Sequence, residues 1–264
     1  MDIITVKNLV KKFGDLIAVN DVSFSVKRGE IFAFLGPNGA GKSTTIKMLT
    51  TILSPTSGEI LLDGHNPTHD ALQARKSFGI VFQDPSLDDE LTAYENVEFH
   101  GVLYGIPRET GKERAEQLLK VVELWDRRNE LVKNFSGGMK RRLEIARGLL
   151  HHPKILFLDE PTQGLDPQTR NHIWSYIQNL NKKEGITIFF TTHYMEEAEK
   201  IAERVDVIDH GRIVAEGTPE TLKRQTNTTS LEDAFLSLTG HDIRDEGASG
   251  ADHMRTMSRA WGRH

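Results

Sequence analysis

Residues 36–44 read Gly-Pro-Asn-Gly-Ala-Gly-Lys-Ser-Thr and fit the pattern G-x-x-x-x-G-K-[ST]. Gly36, Gly39 and Gly41 let consecutive backbone N–H groups curl around an anion, with Pro37, Asn38 and Ala40 completing the loop. A helix starting where the loop ends adds the positive end of its dipole. Lys42 would reach the terminal phosphates of a nucleotide, the Ser43 hydroxyl would sit on Mg2+, and Thr44 closes the pattern. A chance glycine turn is the plain alternative. The context weighs against it, because the apolar run 31–35 leads in and residues 45–49 read as a helix leading out.

Further along, the apolar run 155–158 ends in Asp159 and Glu160. A strand that apolar is buried on both faces, so its end delivers two carboxylates to the crevice at the carboxyl edge of a sheet. Asp159 suits Mg2+, directly or one shell out, and Glu160 could polarise an attacking water. Acids that end strands are often only solvated loop residues; the phosphate loop in the same chain reverses that balance. Two more apolar runs end similarly, 78–82 leading into Gln83 and 187–190 leading through two threonines into His193. A lone Gln or His would ordinarily be a loop residue. Four strand ends together present Lys42, Gln83, Asp159 with Glu160, and His193 at one sheet edge, where open α/β sheets bind ligands.

Ser136-Gly137-Gly138 precedes a helix through residue 150, with Leu143, Ala146 and Leu150 as its apolar stripe. Ser136 as a capping oxygen before a glycine turn explains this in structural terms. The sharper reading is a second anion site, since free N–H groups at a helix N-terminus also attract phosphate. Two such sites in one chain suggest nucleotide shared between two copies.

These residues need a frame. Short β-branched runs at 3–9, 22–26, 31–35 and 60–62 dominate the first third, broken by turn signals at 13–15 and 27–29. Residues 92–132 are helical in pattern, with Leu118, Leu119, Val122 and Leu124 as one stripe. The last third alternates strand and helix, which implies a parallel sheet covered by helices. Residues 223–229 read as a polar bridge to a last apolar helix at 231–238, and 241–264 as a polar tail. Its final stretch, with Arg255, Arg259, Trp261 and Arg263, reads as a solvated basic end rather than a membrane contact.

The chain has 264 residues, a formal net charge of −5 and no cysteine, so disulfides and thiolate metal sites are excluded and no basic excess points to nucleic acid. The N-terminus lacks a signal-peptide pattern, and the apolar runs fall far short of the about 20 residues a membrane span needs. Any transport role must then be borrowed from a partner that spans the bilayer.

The order of these motifs resembles the ABC ATPase family over residues 3–217. Phe13 stands where an aromatic stacks on adenine, followed by the phosphate loop 36–44, called Walker A. Gln83 matches the Q-loop, which binds Mg2+ or water and senses the membrane partner. Ser136-Gly137-Gly138 matches the signature that clamps the γ-phosphate of the opposite subunit's ATP. Asp159 and Glu160 match Walker B and the catalytic carboxylate, Gly164-Leu165-Asp166 the D-loop, and His193 the switch histidine. Phe135 and Met139 depart from the usual Leu and Gln around the signature, and Phe13 from the usual Tyr.

The resemblance implies an α/β fold: a P-loop NTPase (RecA-like) core, an antiparallel β subdomain and an α-helical subdomain inserted at about 86–152, all within residues 1–240. It implies ATP and Mg2+ as cofactors and catalysis by Glu160, His193 and Lys42. Phe13, residues 36–44, Gln83, Ser136, Gly137, Gly138, Asp159 and Asp166 would contact nucleotide, and Ser43, Gln83 and Asp159 the metal. Partners would be a second copy or a homologous ATPase subunit, and an integral permease, at the cytoplasmic face of the membrane. Residues 230–240 look like the closing helix of ATPases paired with ABC-2-type permeases of the daunorubicin-resistance kind. Only about 45 residues follow Gly217, too few for the regulatory domain of sugar importers. A non-transport ABC ATPase is the alternative, in DNA repair, translation or iron–sulfur assembly. Against it, no sustained heptads supply the coiled-coil arms of repair members, and one cassette is present rather than two. A small-molecule kinase is a third, but it leaves Ser136-Gly137-Gly138 and His193 without a role.

Overall fold

The fold is that of a computed structural model, which describes residues 1–84 and 86–240. Two sheets organise it. β1 (Asp2–Phe13), β2 (Leu16–Lys27) and β4 (Ser57–Leu62) form an antiparallel sheet in the order β2-β1-β4. The larger sheet runs β5-β6-β7-β3-β8-β9, from β5 (Phe78–Val81), β6 (Ile155–Asp159), β7 (Thr187–Thr191), β3 (Ile31–Leu35), β8 (Arg204–Asp209) and β9 (Arg212–Gly217). Its strands are parallel up to β8, and β9 returns antiparallel as a hairpin.

The alternation of side chains explains the layering. In β3, Ile31, Ala33 and Leu35 face one core while Phe32 and Phe34 face another; in β6, Leu156 and Leu158 oppose Ile155 and Phe157. The first face is covered by α6 (Pro167–Glu184) and α7 (Met195–Ile201). The second packs against the antiparallel sheet and α1 (Lys42–Leu49), with Phe24 5.8 Å from Phe32 and Phe189 5.2 Å from Phe32 between ring centroids. Because both faces of β3, β5, β6 and β7 are buried, polar groups collect at the ends of these strands.

The helical lobe comprises α3 (Ala93–Leu103), α4 (Arg108–Val121) and α5 (Gly137–Leu149) around Val97, Leu119, Val122 and Leu143. Thr92 starts α3 with a capping box to Glu95. The stripe expected over one helix is divided: Leu119 lies in α4, but Leu124 is beyond its end, in the turn before a 3-10 segment. α5 belongs to both bodies, with Ile145 and Leu149 on the sheet and Leu143, Ala146 and Leu150 on the lobe.

Three elements went unread in the sequence: α2 (Ala71–Ser77), β9, and α8 (Pro219–Thr226). The supposed polar bridge at 223–229 is largely the second half of α8, which Thr218 caps and Pro219 starts; Leu222 is its one buried apolar residue of any size, so no stripe marked it. The closing helix is α9 (Leu231–Thr239), capped by Ser230. The basic stretch with Arg255, Arg259, Trp261 and Arg263 lies outside the described residues.

Asp206 of β8 is fully buried and has one oxygen without a partner, the other lying 3.5 Å from Arg204. Burial pushes its carboxyl up to about 7, and Arg204 offsets only part of that. Because the folded-state value lies above the unfolded one, the folded chain holds a proton there that the unfolded chain has already lost. Stability therefore falls as pH rises from about 4 to 7, by on the order of 2–4 kcal/mol, and stays low above it. Asp206→Asn should melt higher than wild type at pH 8, and the gap should close towards pH 5. A gap independent of pH in thermal melts would show that Asp206 does not titrate this way.

Candidate functional site

The parallel strands end level with one another. Val81 pairs with Leu158, Leu158 with Phe190, and Asp159 with Thr191, while Ala33 of β3 pairs with Phe190. The segments leaving β3, β5, β6 and β7 therefore emerge on one edge. That edge carries the phosphate loop, Gln83, Asp159 with Glu160, and His193.

The loop 36–44 wraps onto the start of α1. Gly41 caps that helix with φ +111°, and a Cβ there would stand 2.6 Å from the Ala18 carbonyl oxygen of β2, so only glycine fits. The β1–β2 hairpin, with half-buried Phe13 at its tip, is thereby held against the loop. Lys42 is 5% exposed, and its Nζ donates to the carbonyls of Gly36 at 2.6 Å and Pro37 at 3.1 Å. Burial lowers its basicity, and the nearby carboxylates of Glu160 and Asp159 work in the opposite direction. Ser43 and Thr44 follow on the first turn of α1, partly exposed.

Asp159 is buried, accepts a 2.6 Å hydrogen bond from Thr191 Oγ1, and has its carboxyl raised by burial, the threonine offsetting part. Glu160 follows with φ +50°, a left-handed conformation that costs a non-glycine residue of order 1 kcal/mol or more. Its N–H donates to the Thr191 carbonyl at 3.2 Å, which fixes the turn. The carboxylate is buried, with Oε1 2.6 Å from His193 Nε2 and Oε2 without a partner. A buried, unpaired carboxylate oxygen is costly to keep, and such groups concentrate where chemistry needs them. It borders a cleft of about 110 Å3 lined by Glu160, Gln163, Thr192, His193 and Tyr194.

Gln83 joins this cleft through Gln163, to which its side chain donates at 2.7 Å. Its backbone is gripped from the lobe: Arg141 of α5 donates to the carbonyls of Phe82 and, at 3.1 Å, Gln83, and pairs with Glu144 at 3.1 Å. Glu144 in turn accepts from Ser86 N–H at 2.8 Å. Neither residue of this buried pair was singled out in the sequence, where they look like ordinary charges on a helix.

Ser136, Gly137 and Gly138 sit elsewhere, at the N-terminus of α5. Ser136 Oγ accepts from Met139 N–H at 3.3 Å, so the capping role expected of it is present. Gly138 packs so closely on Thr169 that a Cβ would meet its Cγ2 at 2.6 Å, and Gly137 faces Leu165. This helix start therefore lies beside 164–166, whose Asp166 caps α6 by accepting from Thr169 N–H at 3.0 Å. Met139 turns its side chain onto the lobe's apolar cluster.

The ABC transporter family model matches residues 19–163, more than half of the chain. A linearmycin resistance ATP-binding protein of Bacillus subtilis is 43% identical over 238 residues, covering 87% of this chain and 76% of that protein. A daunorubicin/doxorubicin resistance ATP-binding protein of Streptomyces peucetius is 42% identical, covering 91% and 71%. Among solved structures, an ATP-binding subunit of an ABC transporter superposes with a TM-score of 0.81 at 31% identity, over 89% of this chain and 99% of that one. A dimeric ATP-binding cassette in a post-hydrolysis state, bound to ADP and phosphate, gives 0.74 at 31%, over 81% and 98%.

Proposed function

The chain belongs to the ABC transporter family of ATP-binding subunits, and on that premise we propose how its site works. Two copies enclose ATP, each nucleotide lying between residues 36–44 of one copy and Ser136-Gly137-Gly138 of the other. Hydrolysis drives export of a drug- or antibiotic-like compound through a separate permease of the ABC-2 type.

One observation carries the catalytic part: Glu160 keeps one buried oxygen on His193 and the other unpaired, beside the cleft at the strand ends. In the reading proposed, the free oxygen accepts the proton of an attacking water. The water oxygen bonds to the γ-phosphorus, the bond from that phosphorus to the bridging oxygen breaks, and ADP leaves with the electron pair. His193 orients Glu160 and contacts the γ-phosphate, and Lys42 leaves its loop carbonyls to neutralise phosphate charge. Phe13 offers a stacking face to the base.

The donor set around Asp159 fits Mg2+. The Ser43 hydroxyl, the Asp159 carboxylate and the Gln83 amide are hard oxygen ligands, few enough to leave places for water and phosphate. Held by those residues, Mg2+ would supply positive charge to offset that of the phosphates. Burial raises the Asp159 carboxyl and Lys42 and Lys47 offset only part of that, so a further positive charge beside it would favour its ionised form.

No helix among the described residues is long and apolar enough to cross a membrane. In the reading proposed, which rests on the likeness to transporter ATP-binding subunits, the chain acts from the cytoplasmic face, held by the permease between sheet core and helical lobe near Gln83. Arg141 and Glu144 join that segment to the helix bearing Ser136, a physical route from permease contact to ATP closure. The resistance ATPases it resembles support export, and the daunorubicin-type relatives together with the closing helix α9 support an ABC-2 partner. A DNA-repair role is disfavoured, since α3 and α4 span only 11 and 14 residues and form no coiled-coil arms.

The test is to purify the tagged chain from detergent-solubilised membranes. A multi-span permease should come with it, and vesicles holding both should move substrate only with ATP. Recovery solely in a complex without a membrane protein would overturn the transport reading.

A further inference from the structure

Glu197 lies on α7, four residues beyond His193, and is 9% exposed. Its carboxylate receives Thr162 Oγ1 at 2.8 and 2.9 Å on its two oxygens and Thr192 Oγ1 at 2.9 Å on Oε2. Arg170 of α6 stands 3.8 Å from Oε1, and its guanidinium stacks 4.2 Å from the centre of the Tyr194 ring. Thr162 is two residues past Glu160, and Thr192 is the residue before His193. A carboxylate can only accept hydrogen bonds, and charged acceptors make the strong ones, so this group pulls donors from both segments towards itself.

The placement matters because Glu160 and His193 come from different strands. Glu160 sits in a strained left-handed turn, which persists only where the surroundings over-determine it. The Glu160 N–H bond to Thr191 holds one side of that turn. The Thr162–Glu197–Thr192 bridge holds the other, and Thr192 Oγ1 also accepts from Tyr194 N–H at 3.0 Å, locking the turn that carries His193. A glutamate on the first turn of a helix is ordinarily explained by the helix dipole alone. That explanation has no use for two buried threonine hydroxyls from separate loops.

We propose that Glu197 is a positioning residue for hydrolysis, setting the spacing of Glu160 and His193 by clamping the segments that bear them through Thr162 and Thr192. Arg170 extends the clamp to α6, whose first turn is capped by Asp166. The proposal rests on the reading of Glu160 and His193 given above. The clamp touches neither the loop that binds phosphate nor the aromatic at position 13, and His193 is the phosphate contact it positions, so its loss should slow the chemical step far more than it weakens ATP binding.

The experiment is MgATP hydrolysis by the purified chain, under single-turnover conditions at high protein concentration and in steady state. Glu197→Ala should lower kcat by about 10- to 100-fold, the scale of sub-ångström to 1 Å misplacement, with KM for ATP changed far less. Thr162→Val and Thr192→Val, which keep shape and remove the hydroxyl, should show the same split, and Thr192→Ser should restore most of the turnover. The valine variants also answer the question should Glu197→Ala fail to fold. A rise in KM that tracks the fall in kcat, or a Thr192→Ser variant no better than Thr192→Val, would make Glu197 merely structural. Wild-type kcat in Glu197→Ala, in a chain that Glu160→Gln inactivates, overturns this proposal alone; turnover surviving in Glu160→Gln overturns the reading beneath it.

Discussion

Glu160→Gln should reduce ATP turnover by about 10²- to 10⁴-fold, the usual weight of a general base, while ATP binding is retained. The amide has the same shape and can still meet His193 Nε2, which now lies 2.6 Å away. It cannot take a proton from water, and its NH2 would turn a donor towards the oxygen that must attack. ATP would then bind, close two copies and remain uncleaved, so a dimer should appear on size exclusion with ATP and persist. The same change removes a buried, unpartnered carboxylate oxygen, so the melting temperature should hold or rise. Turnover close to wild type would take Glu160 out of the mechanism, whatever the dimer does.

Lys42→Ala should abolish ATP retention as well as hydrolysis. Nζ is the one cation held inside the loop, and its two carbonyl bonds are ones it can exchange for phosphate oxygens without travelling. The variant allows a sharper test of sharing between copies. Ser136→Asp keeps a side-chain oxygen to cap α5 at Met139 N–H and places a negative charge where a phosphate would dock. Each variant alone should be inactive. An equal mixture should recover about a quarter of wild-type activity, because half the dimers are mixed and each has one site with both halves intact. A mixture as inactive as its components would contradict a site built across two chains.

Much of the site could be read along the chain because its parts are local. The phosphate loop, the doubled acid after 155–158 and the residues ending 78–82 and 187–190 each carry strand, turn and chemistry within one short stretch of chain. Parallel β-strands buried on both faces are nearly all apolar, so the first polar residue past each one marks the functional edge. The fold followed from the same alternation, and its misses were short elements: α2 and α8 bury too few residues to show a stripe, and β9 alternates on an edge with one face in water.

Contacts between segments far apart in sequence were a different matter. Arg141 and Glu144 look like two charges on an amphipathic helix, and Glu197 like one of several acids at 196–199; no spacing rule separates the buried one from its exposed neighbours. Only packing decides that Glu197 meets Thr162, 35 residues away, or that Arg141 meets the Phe82 carbonyl, 59 residues away. The sequence by itself determined which side chains meet at the sheet edge, since that depends on residue type and strand ends. Tertiary structure decided how the groups are held: burial raised the Asp159 carboxyl, left Glu160 one free oxygen and pressed His193 against the other. Burial and distance belong to the assembled chain, and so does the reactivity that follows from them.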